Sequence, residues 1–130
     1  MHSQMRVTHF LRWPGPLESR IIGLIGFFAL AVTRRSIIAG TIFFNGILFH
    51  AGFPNTRLVR WYDVSCNFVL GWYVFNDQYP KSVFVPTLIA LAALGFGINV
   101  LRGKRDAYET IIHVIGVQWT CCFALFWSKL

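Results

Sequence analysis

His50, Asp63 and His113 are the residues of this 130-residue chain whose types could do chemistry together. Two imidazoles and one carboxylate, with a coordination position left open, bind a metal such as zinc and activate water on it. Asn45 or Asn67 would then orient that water or a substrate carbonyl. The same groups have a plainer use. Arg60 precedes Asp63 by one helical turn and can pair with it, and Asn67 follows Asp63 on the same face. Asn45, Arg60, Asp63, Asn67 and Asn99 then make a structural polar layer, each side chain contributing about 0.6–2 kcal/mol between helices in a membrane. Neither His50 nor His113 has a partner at His-x-x-x-His spacing, so the residues by themselves favour the structural layer over the metal.

Five apolar runs must position these groups: residues 21–33, 37–53, 58–75, 82–101 and 109–128. The composition is 55% hydrophobic and 17% aromatic with 13% charged residues, and the mean hydropathy is +0.55. Soluble domains carry roughly 25% charged residues, and a soluble chain of this size has too small a core for so much apolar surface. A bilayer solvates that surface instead. The expected class is all-α transmembrane, with four or five short helices in an up-and-down bundle. Residues 1–16 read as a basic amphipathic N-terminal arm with Trp13 at the headgroup level, and 17–130 as a single membrane-embedded helical domain.

Local signals place the boundaries. Pro14 and Pro16 separate the arm from the first run, which at 21–33 is short for the ~20 residues a crossing needs, and so either spans a thin membrane or re-enters. Ser36 is placed to cap the second helix. Residues 76–80 (Asn-Asp-Gln-Tyr-Pro) predict a turn. Run 82–101 has no charge and is the strongest transmembrane segment, with Pro86 tolerated near its first turn and Ala93 and Gly97 offering a small face for close packing. Gly23, Gly26 and Ala29 make a second small ridge. If the runs alternate, the ends of the second and fourth helices and the starts of the third and fifth share one side, together with Asn45, His50, Arg60, Asp63, Asn67, Asn99, Glu109 and His113. Eight Lys and Arg flank that side and four the other, which puts the N-terminus on the cytoplasm-like side.

The order of His50 closing one helix, Asp63 opening the next and His113 opening the last resembles the CREST superfamily of membrane hydrolases, which includes the alkaline ceramidases. There a Ser and a His end one helix, an Asp opens the next, and a His-x-x-x-His pair lies on the last. The resemblance implies zinc contact for His50 and His113, a supporting catalytic role for Asp63, and cleavage of a lipid amide. It covers residues 43–70 and one further His. Asn45 stands five residues before His50, where the family has Ser at four, and Val117 stands where the second His of the pair would be. The family also has seven helices. The match would fit a shortened or inactive relative.

Other classes fare worse. The net charge is +7, but the cations sit in links between apolar runs and match no nucleic-acid module, so lipid headgroups, not nucleic acid, are the expected partners. Cys66, Cys121 and Cys122 form no Cys-x-x-Cys pair. His50 and His113 as axial ligands of a pigment or haem make a cofactor-binding subunit a third reading, without a haem motif to support it. With no complete catalytic set, the expectation is a structural or assembly subunit of a larger membrane complex, multi-pass and held among lipids and other membrane subunits, in a membrane that the sequence does not name, organelle and viral membranes included. No cofactor is expected unless zinc sits at the histidines.

Overall fold

The computed structural model describes residues 16–52, 57–104 and 106–130. The N-terminal arm, Pro16 apart, lies outside the described residues, as does the apolar end of the second run at Phe53. The described residues form five helices and no strand: α1 (Pro16–Arg34), α2 (Ile37–Ile47, continuing as a π-helical turn Leu48–Gly52), α3 (Arg57–Gln78), α4 (Phe84–Arg102) and α5 (Ala107–Ser128). The backbone of α5 widens into a π-helix over Ile112–Trp119.

Several ends follow from local chemistry. The Ser36 hydroxyl accepts a hydrogen bond from the Ala39 N–H at 3.1 Å, capping α2 as its position predicts. Asp106 caps α5, accepting the Glu109 N–H at 2.9 Å. Gly103 closes α4 in the left-handed conformation (φ 62°), which glycine adopts without a Cβ penalty. Residues 76–78 depart from expectation: they continue α3, and the turn begins only at Tyr79. Asn76 is held in the helix because its Nδ2 donates to the Trp72 carbonyl one turn back (2.8 Å), and Phe75 stacks between Trp72 and Tyr79.

The helices run up and down, and each packs on its neighbours in a ring that α5 closes against α1. Small residues set the close crossings. A Cβ on Gly23 would collide with the Gln118 side chain, and one on Gly26 would lie 2.6 Å from the Cys122 Sγ, so the α1 ridge fits directly onto α5. Gly46 admits Leu24 in the same way, with Cδ1 at 2.6 Å from an added Cβ. At the opposite end Arg34 donates to the Phe126 carbonyl (2.6 Å) and lies over its ring, and Ser36 donates to the Leu130 carbonyl (2.7 Å). The buried core is formed by Leu24, Phe27, Leu30, Ala39, Val74, Val85, Ala124 and Leu125.

Outside this core the surface is apolar. Ile25, Phe44, Trp61, Trp72, Leu94 and Trp127, from all five helices, are exposed. Two helices, α4 and α5, are long and apolar enough to cross a membrane, and only 22% and 28% of their apolar windows are buried inside the bundle. The apolar parts of α1 and α2 are shorter. The third helix, α3, is 22 residues long but carries Arg57, Arg60, Asp63 and Asp77, and does not reach the same apolar character.

Candidate functional site

The five helices line a cavity of about 640 Å³ that is partly open to the outside, with exposed residues such as Phe68 and Trp72 on its wall. One end of it is polar because of the antiparallel order. The end of α2 contributes His50, the first turns of α3 contribute Arg60, Asp63 and Asn67, the end of α4 contributes Asn99, and the start of α5 contributes Glu109 and His113. The remaining walls are apolar, among them Phe27, Ile42, Trp72, Ile89 and Phe96.

His50 and His113 meet at this end, with ring centroids 5.8 Å apart and planes at 79°. Both stand in π-helical backbone, His50 in Leu48–Gly52 and His113 in Ile112–Trp119. A π-turn rotates the residues after it relative to an α-helix, and such turns recur at functional sites. Phe49 packs edge-on against His50 at 4.7 Å and helps fix its ring. His50 is 6% exposed and Asp63 8%.

Asp63 accepts a hydrogen bond from the Asn67 Nδ2 at 3.5 Å, the one-turn contact expected on α3. The Arg60–Asp63 pair does not form. Arg60 is exposed at the rim of the cavity while Asp63 turns inward: three residues fall short of a full turn by about 60°, and that offset points the two heads to different sides of α3. Among the described residues an ion pair at this end is Arg102–Asp106, at 2.7 Å, on the α4–α5 link. The Arg102 guanidinium, followed by the Glu109 backbone N–H, holds the Asp106 carboxyl below its ordinary value of 3.8. Asn99 crosses from α4 to α5, donating its Nδ2 to the Glu109 carbonyl at 3.1 Å, which leaves its Oδ1 buried without a hydrogen-bond partner among the described residues. Asn45 is buried at 2% exposure but does not line the cavity, and its Nδ2 has no partner among the described residues.

The structure thus brings His50, Asp63, Asn67, Asn99 and His113 to one cavity, and leaves Asn45 beside it and Arg60 at its rim. Among the described residues no three His, Cys, Asp or Glu side chains converge to hold a metal ion. Gln118, 7% exposed on the cavity wall, has no counterpart in the spacing argument. It lies two turns into the apolar run of α5, and only the bare Cα of Gly23 opposite marks it.

No family model, no curated protein and no solved structure matches the chain.

Proposed function

We propose that this chain is a multi-pass integral membrane protein acting as a structural or assembly subunit of a larger membrane complex. The observation that carries the reading is the outward apolar surface. Large side chains such as Phe44, Trp61, Leu94 and Leu101 are exposed on a bundle that, among the described residues, has little beyond short links outside its helices. Water would not tolerate an apolar surface of this extent, whereas lipid or neighbouring subunits cover it without cost. The basic links at Arg34–Arg35 and 102–105 then meet headgroups. Crosslinking in the membranes of cells that make the protein, followed by solubilisation in mild detergent, tests the reading. Defined partners should be recovered in fixed ratio with the chain. A chain that sediments alone, or that alkaline carbonate strips from the membrane, would overturn it.

A second reading has one specific observation in its favour. His50 and His113 face each other at 5.8 Å, over a cavity that Asp63 also lines, the three residues that carry the resemblance to the CREST hydrolases. On that reading the pair contacts zinc, Asp63 supports the water, and a lipid amide is cleaved. Elemental mass spectrometry on the purified chain separates the two. About one zinc per chain, lost in a His50→Ala/His113→Ala variant, would favour the hydrolase.

A further inference from the structure

The cavity is shaped for a ligand of one chemical kind. Its volume, about 640 Å³, falls within the ~300–1,000 Å³ of small-molecule sites. It is also elongated. On α5 its lining runs from Glu109 to Leu125, a distance of roughly 24 Å at 1.5 Å per residue. All the charged groups lie at one end, and Phe27, Ile42, Ile89 and Phe96 line the body. A polar end and a long apolar body match one head and one chain.

The polar end specifies which head. The Asn99 amide has its orientation fixed, because the Glu109 carbonyl can only accept and so must face the Nδ2. The Oδ1 is therefore an acceptor, buried and without a hydrogen-bond partner among the described residues, on the cavity wall. Asp63, on the facing helix, accepts only the long 3.5 Å contact from Asn67 among the described residues. Both groups want a donor. A buried acceptor left without one loses its hydration for nothing in return. A carboxylate or ester head would meet the exposed Arg60 and Lys104 at the rim but bring only more acceptors to Asn99 and Asp63, whereas a hydroxyl head donates to both.

We propose that the cavity binds one single-chain lipid with a hydroxyl head, its hydroxyls donating to Asn99 and Asp63 and its chain lying along α3 and α4. This goes beyond both readings above and depends on neither zinc nor partner subunits.

Native mass spectrometry on the detergent-solubilised full chain tests it, with monooleoylglycerol as the probe and methyl oleate of the same chain length as the control. The expected result is a one-to-one complex with monooleoylglycerol, bound at least about tenfold more tightly than methyl oleate. Asn99→Leu should narrow the difference between the two probes, since one of the two acceptors is gone while Asp63 and the chain site remain. Ala93→Trp, which fills the apolar body, should abolish both complexes while circular dichroism shows the helices intact. Equal binding of the two probes by the unsubstituted chain, or no one-to-one complex at all, would overturn the proposal. So would an Ala93→Trp protein that binds both as before.

Discussion

The His50 and His113 rings meet edge to face at 5.8 Å, joining the end of α2 to the start of α5 across the polar end of the cavity. The two residues are far apart along the chain, so the contact locks the bundle's closure rather than a local turn. Ring pairs of this geometry contribute about 0.5–1.5 kcal/mol beyond the area they bury. A double-mutant cycle with His50→Ala and His113→Ala, read by thermal unfolding in detergent, should therefore give a coupling of about 0.5–1.5 kcal/mol, with each single variant still helical. Strictly additive losses would show that the rings are neighbours without being partners.

Gly23 and Gly97 lie on small-residue faces of similar appearance in the sequence, but the structure gives them different roles. A Cβ on Gly23 collides with Gln118, whereas one on Gly97 meets nothing within 4 Å. Gly23→Ala should cost about 1–3 kcal/mol by forcing α1 from α5. Gly97→Leu should leave the unfolding midpoint of the isolated chain nearly unchanged. If the open Gly97 face seats a partner helix, the same Gly97→Leu change should reduce the recovery of crosslinked partners. The thermal and crosslinking measurements together distinguish a packing glycine from a docking one.

Much of this arrangement is legible in the residues. Helix number, the cap at Ser36, the Asp63–Asn67 contact and the gathering of polar groups at one end all follow from local spacing and alternation. What spacing misses is rotation about the helix axis. Arg60 and Asp63 are one turn apart, which permits a pair, but the axial setting of α3 sends Asp63 inward and keeps Arg60 exposed. The π-helical segments that carry His50 and His113 are likewise not written in the hydrophobic pattern, which follows the α-helical period. The turn expected at residues 76–78 failed for a further reason. Asn76 satisfies its side chain on the Trp72 carbonyl, a helical contact that turn propensity does not weigh.

Asp106 links the two apolar helices α4 and α5, accepting both Arg102 and the Glu109 N–H. Its carboxyl is held below the ordinary 3.8, so the charged form is favoured in the folded chain. The resulting stabilisation is fully present above about pH 3.8 and is lost as pH falls below that value toward the lower folded value. Asp106→Asn retains an acceptor for the cap but not the charge. The difference in melting temperature between the unsubstituted chain and the Asp106→Asn variant should be constant from neutral pH down to about pH 5, and then shrink toward zero in stronger acid. A difference that grew on acidification would mean that the Arg102 pair is not what lowers the carboxyl.

Lys81 and Lys104 are exposed at opposite ends of the bundle, the first in the α3–α4 link and the second in the α4–α5 link. If α4 crosses a membrane, its 19 residues separate them by roughly 28 Å, about the thickness of a hydrocarbon core. With Cys66, Cys121 and Cys122 replaced by Ser, Lys81→Cys and Lys104→Cys place one thiol at each end. A membrane-impermeant maleimide added to sealed, uniformly oriented vesicles of the membrane that holds the protein should label only one of them, and detergent should make both reactive. The excess of cations beside Lys104 puts that end on the cytoplasm-like side, so Lys81→Cys is the variant expected to react outside a plasma membrane. Strong labelling of both variants in those sealed vesicles would place the two links on one side of the bilayer, and the multi-pass reading would fall with it.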